Sequence, residues 1–127
     1  TEPAARARCL HGLVYIAANC YAMIGVIDFP PRVVGEGASK ALLARVNTAG
    51  RARLHELWRV FADQFDRGTP FLGGAEPDAL DLLATVVSQW SGTRAMLAQE
   101  RPAFLALLQR VEQHPRLAAV FARHWPG

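Results

Sequence analysis

Asp78 and Asp81 are the residues of this 127-residue chain whose type and spacing could most readily do chemistry. Two carboxylates three residues apart on a helix can divide general-acid and general-base roles when their surroundings separate their pKa values. The same spacing at a helix start can also form a capping box. The Asp78 carboxylate would accept from the Asp81 N–H, and Asp81 would reach back to the N–H of Asp78. Both charges would then lie at the positive end of the helix dipole. Pro77 and Leu82 occupy the flanking staple positions, and no charge follows from Leu82 to Trp90. The pattern predicts a structural cap built from Asp78 and Asp81, rather than an acid–base pair.

Other chemistry-bearing residues carry weaker signals. His11, His55, His114 and His124 show no metal-ligand spacing, so they are read as solvated or capping residues and no metal site is expected. Ser88 and Ser91 lack a nucleophile motif, and Gly73-Gly74 lacks the lysine of a phosphate loop. Cys9 and Cys20, placed on one helix, stand roughly 16 Å apart along its axis. Disulfide Cα atoms lie within about 7 Å. The two are therefore expected as free thiols, packed in the core or reactive at a site, in a reducing, cytoplasmic compartment. Thirteen Arg and one Lys against 11 acids give a net charge of +3. They are scattered, and the densest group (Arg45, Arg51, Arg53) is too small for phosphate binding, so no nucleic-acid partner is expected.

The elements that must position these residues all read as helices. A first helix is predicted over about 3–27, opened by Pro3 with Thr1 or Glu2 near its cap and stopped by Pro30-Pro31. Its apolar run Leu13–Ile27 has 15 residues, short for a membrane span. No signal-peptide cleavage site follows it, so a buried helix and no membrane association are expected. A loop over 28–37 precedes a second helix over 38–66, where Leu54, Leu57, Trp58, Phe61 and Phe65 share one face and Gly50 is a place for a bend. After the turn 69–75 come helices over about 78–91, 93–99, 102–113 and 115–124. The helix 78–91 is apolar nearly all round and is predicted to be the buried centre of a single all-α bundle of five to six helices. A helix so placed has no water for its first-turn N–H groups, hence the built-in cap. The chain opens at Thr1 without Met, which fits a piece of a longer protein.

Phe71-Leu72-Gly73-Gly74, a short spacer and Asp78-Ala79-Leu80-Asp81 resemble the segment that opens the central helix of glutathione transferase C-terminal domains. "RVEQHPRLAAVF" (110–121) resembles the closing helices of that family, and "LVYIAANCYAMI" (13–24) the first helix of the domain in bacterial β-class-like members. The resemblance covers essentially the whole chain. It implies that a thioredoxin-like domain, absent here, would bind glutathione as co-substrate, while this helical half supplies an apolar electrophile pocket and part of a homodimer interface. This chain alone would bind no cofactor and is not expected to complete the transferase reaction. Tyr21 falls where the family presents a His to the glutathione sulfur. A phenol can hydrogen-bond a thiolate but, titrating near 10, is a poor general base. Asn19 stands where a family acid reaches glutathione across the dimer, and Trp90 matches a Trp near the substrate pocket.

Tyr15, Asn19 and Met23 lie near one helical stripe, with Tyr21 further round. The substrate-binding candidates are thus Tyr15, Asn19, Tyr21, Met23 and Trp90, with the 28–37 loop closing the pocket. The alternative for each is bundle core or dimer contact. Two functions are implied. One is the electrophile-binding and dimerisation half of a glutathione transferase-like enzyme. The other is a stand-alone, non-catalytic helical protein-interaction module.

Overall fold

Glu2 starts the first helix, its carboxylate accepting from the N–H groups of Ala4 and Ala5 at 3.0 Å. In this computed structural model, which describes residues 2–127, helix α1 then runs Pro3–Asp28. Thr1, the other residue expected near this cap, lies outside the described residues. Inside α1, Ile16–Tyr21 is a π-helical segment, a widening the residue pattern did not predict. There Asn19 Nδ2 donates to the Tyr15 carbonyl four residues back at 3.1 Å, while backbone bonds in such a segment run five residues back.

Residues expected as loop contain a further short helix, α2 (Pro31–Val34). Pro31 at its first position has its φ preset for a helix and no N–H to satisfy, and the carbonyls of Phe29 and Pro30 accept from Arg32 and Val33. Helix α3 (Lys40–Phe65) is capped by Ser39, whose hydroxyl accepts from the Leu42 N–H at 3.1 Å. It runs unbroken through Gly50, where a bend was expected. Gly50 instead makes room for a neighbour: a Cβ there would meet Ile27 Cγ1 of α1 at 2.9 Å.

Helices α4 (Ala79–Val87), α5 (Thr93–Glu100), α6 (Pro102–Glu112) and α7 (Ala118–His124) complete an all-α bundle. Two differ from expectation in length. Helix α4 stops at Val87 rather than near 91, because the chain turns at Ser91 and Gly92, both at positive φ. Helix α7 starts at Ala118 rather than Pro115, since the residues between fold as a turn over the His114 carbonyl, which accepts from Leu117 and Ala118. Among the described residues the only extended pairing is an isolated bridge between Phe71 and Gly74.

One continuous core draws on every helix except α2. Its centre is aromatic: Trp58, Phe61 and Phe104 are essentially inaccessible, and Phe61 stacks on Phe65 with ring centroids 4.5 Å apart. Burying each such side chain contributes about 1.5–3 kcal/mol. Helix α4 packs against α1 and α6, burying Leu80, Ala84 and Val87 but leaving Leu82 38% exposed, as is Trp90 in the turn beyond it. The central helix is therefore covered on one side and open on the other. A more marked departure is α1, expected to be buried. It is long and apolar enough to cross a membrane by length and composition, with mean hydropathy 1.6 over its most apolar stretch, yet only 28% of that stretch is buried. Its inward positions are Gly12, Ile16, Cys20, Ile24 and Ile27. The rest of its surface, with Leu10, Val14 and Tyr21 each more than half exposed, faces outward.

Candidate ligand groove

Two of the five candidate site residues meet. Tyr21, at the end of the π-helical segment, and Trp90, in the turn after α4, stand edge to face with ring centroids 6.5 Å apart. Both line an open groove of ≈ 250 Å³ whose wall continues through Ile24, Gly25, Asp28, Phe29 and Arg32. Tyr21 is 59% exposed and Phe29 50%. Large aromatic side chains left this open around a concavity are what a ligand or partner surface looks like, since lone exposed apolar residues are ordinary and clustered ones are not. Ligand pockets enclose roughly 300–1,000 Å³, so this groove has the size and openness of part of a site.

Its charges come from the last residue of α1, Asp28, and from the segment after it. The Arg32 guanidinium sits over the Phe29 ring, 4.2 Å from its centroid, in a cation–π contact. Asp28 shares the groove. Sequence reasoning reached this segment only as a closing loop and did not single out Phe29 and Arg32. The available signal was an aromatic and a cation flanking Pro30-Pro31 directly after an apolar helix.

The other candidates point elsewhere. The Tyr15 hydroxyl donates to the Leu57 carbonyl of α3 at 2.8 Å, and its ring packs on Phe61 and Phe65. Burial, then the nearby Cys20 thiol, push this phenol above its ordinary value. Met23 lies against α3, its sulfur 3.8 Å from where a Cβ on Gly50 would stand. Asn19 is occupied with the Tyr15 carbonyl. Tyr15 and Met23 hold α1 against α3, Asn19 bonds within α1, and none of the three lines the groove.

Asp78 and Asp81 form a capping box at the start of α4. Asp78 Oδ1 accepts from the N–H groups of Leu80 and Asp81 at 2.9 and 3.3 Å, and Asp81 Oδ2 accepts from the Asp78 N–H at 3.0 Å. Asp81 does more than reciprocate. Fully buried, it also accepts from the N–H groups of Leu72 and Gly73 at 2.7 and 2.8 Å. Burial pushes its carboxyl above the ordinary value while these three N–H groups pull it back. Gly73 is required here, because a Cβ would meet the Glu76 carbonyl at 2.6 Å.

Neither cysteine is activated. Burial pushes the Cys20 thiol up to about 12, and burial followed by the Asp78 charge raises Cys9. Both are free. A wider opening of ≈ 430 Å³ between α5, α6, α7 and the turn after α4 is lined by Arg94, Glu112 and Gln89. Those groups are engaged with one another: Glu112 Oε1 accepts from Gln89 and Arg94, each at 2.7 Å. Arg94 further donates to Ser88 Oγ and the Thr85 carbonyl, both at 2.9 Å. Among the described residues no group of three or more His, Cys, Asp or Glu is placed to hold a metal ion.

Comparison with known proteins finds no matching family model, no matching curated protein and no matching solved structure.

Proposed function

We propose that this chain is the helical, electrophile-binding half of a glutathione transferase-like protein, with the Tyr21–Trp90 groove as its share of the site. The observation that carries the reading is that groove: three exposed aromatic rings around an open concavity at one end of α1 and α4. A second feature supports it. The residues that resemble the family's central segment, Leu72-Gly73 and Asp78 to Asp81, form one hydrogen-bonded unit through a single buried carboxylate. In an intact protein a thioredoxin-like domain would hold glutathione, and its thiolate would attack an apolar electrophile seated against Trp90 and Phe29. Tyr21 would hydrogen-bond the thiolate. The chemistry would come from the two halves together, in a cytoplasmic homodimer.

The test uses a protein that contains both domains. Tyr21→Phe and Trp90→Ala should each lower glutathione conjugation of an aryl halide, Tyr21→Phe through kcat and Trp90→Ala chiefly through KM. Unchanged turnover in both variants would remove the groove from the reaction.

A non-catalytic helical interaction module is favoured by a different observation, the outward face of α1 with Val14 at 64% and Leu10 at 51% exposure. That face is where self-association would occur. Light scattering of the purified chain that reads a monomer, unchanged by Val14→Glu, would remove the homodimer from this proposal.

A further inference from the structure

The groove depends on a ring that no helix carries. Trp90 lies beyond the end of α4, on a turn in which the Thr93 N–H donates to the Trp90 carbonyl at 3.3 Å. The two central residues of that turn, Ser91 and Gly92, have φ of 60° and 75°, the pattern of a type I′ turn. Gly92 takes this conformation without cost. Ser91 does not: it is the one non-glycine residue at positive φ among the described residues, and the left-handed region crowds a Cβ against the backbone. Something must hold it there.

The holding contact reaches across from α3. His55 Nε2 lies 3.0 Å from the Ser91 carbonyl oxygen. A carbonyl only accepts, so Nε2 carries the hydrogen. The same ring flanks Gly92 with the Arg51 guanidinium one helical turn away, each 3.8 Å from where a Cβ would stand. Thus α3 holds the turn through the Ser91 carbonyl and lies beside Gly92, and the turn delivers Trp90 to Tyr21.

We propose that His55 is the positioning residue of the groove: its bond to the Ser91 carbonyl keeps the Trp90–Thr93 turn left-handed and so sets the Trp90 ring against Tyr21. The proposal rests on the groove being a ligand site, and on nothing about glutathione or a second domain. Without the bond the turn relaxes, Trp90 swings away and the concavity loses one wall. His55 touches no ligand; it acts through Trp90.

The test reads Trp90 directly and reads the groove separately. In a Trp125→Phe background, iodide quenching reports Trp90, because Trp58 is fully buried. N-phenyl-1-naphthylamine, a neutral aromatic fluorophore, reports the groove. His55→Leu should raise Trp90 quenching and weaken the fluorophore about fivefold, the population shift that one strained left-handed residue represents. His55→Gln, which keeps an N–H at similar reach, should restore both. Ser91→Gly removes the strain, so His55→Leu on that background should lose most of its effect on both readouts. An effect of His55→Leu that is equally large with Gly at 91 would overturn the proposal, as would unchanged Trp90 quenching. If His55→Leu alone fails to fold, Ser91→Gly/His55→Leu should recover the folded chain, and failure to do so would also overturn it. Trp90→Ala separates the two claims. Undiminished fluorophore binding there rejects the groove as the ligand site, while the quenching arm still decides the role of His55.

Discussion

Replacing Asp81 by alanine offers the sharpest test of how this fold is held. The substitution strips the acceptor from three backbone N–H groups, those of Leu72, Gly73 and Asp78, at 2.7, 2.8 and 3.0 Å. Leaving a buried donor unpaired costs about 1–3 kcal/mol. The Leu72 N–H is buried and warrants about 2 kcal/mol, while those of Gly73 and Asp78 are partly reached by water and warrant about 1 kcal/mol each. Against this sum of about 4 kcal/mol stands relief of a desolvated carboxylate, which burial holds above its ordinary pKa and which lowers the net cost. The expected net loss is about 3 kcal/mol, a large share of the roughly 5–15 kcal/mol that holds a domain together. Asp78→Ala, which removes only the half-exposed cap, should cost about 1 kcal/mol. Asp81→Asn should fall between them, since one oxygen remains while an NH₂ faces N–H groups. Urea unfolding followed by far-UV circular dichroism, with the denaturant slope unchanged, reads all three. A loss in Asp81→Ala no larger than in Asp78→Ala would refute the assignment of Asp81 as the pin between the 71–74 loop and α4.

Three further outcomes follow from the geometry. Gly12→Ala places a methyl 2.5 Å from Leu80 Cδ2 in a packed interface and should destabilise by about 1–2 kcal/mol, whereas Gly25→Ala, with no atom within 4 Å, should stabilise by about 0.5–1 kcal/mol, both read by thermal unfolding. Ellman's reagent at pH 8 should leave Cys20 unmodified in the folded chain and modify Cys9 slowly, because only the thiolate reacts and burial disfavours it at both; burst labelling of Cys20 would contradict its place in the core. Arg101 holds the Asp63 carboxyl, and Arg59 that of Glu100, below their ordinary values of 3.8 and 4.5. Their contribution is therefore present above those values and lost as pH falls through the folded-state ones. The stability difference between the natural chain and Arg59→Gln/Arg101→Gln should shrink on acidification below about pH 4, and a difference that grows instead would reverse the sign.

Periodicity carried most of the architecture because it reports burial directly. The stripe of Leu54, Leu57, Trp58, Phe61 and Phe65 lies inside, and the capping box stands at Asp78. Local rules failed where a tertiary contact decided. Gly50 is locally a bend signal, yet the close approach of Ile27 makes it an interface residue within a straight run. An apolar run reads as buried, but only every third or fourth residue of α1 meets a neighbour, and no local pattern says on which sides neighbours will lie. The same gap divides the candidate site. Tyr15, Asn19 and Met23 share a helical stripe with Tyr21 further round, but only the position of α3 decides that Tyr15 and Met23 pack inward while Tyr21 faces the groove. The turn that delivers Trp90 was hidden by a serine in a conformation that sequence rules reserve for glycine.

The widened turn at Ile16–Tyr21 acts as a phase adjuster in α1. A regular helix turns about 100° per residue, so a rod that aims Gly12 at Leu80 has no freedom left to aim its other end. One residue taken up by the wide turn gives that freedom: the first half keeps its register on α4 while the second presents Gly25 and Tyr21 to the groove and Ile27 to Gly50. Length in this segment is therefore a more sensitive variable than composition. Ala17 and Ala18 are exposed and open to substitution by other helix formers, but deleting either would straighten the rod and rotate its two ends out of step. The groove and the α1–α4 interface could not both survive that rotation, however conservative the residue lost.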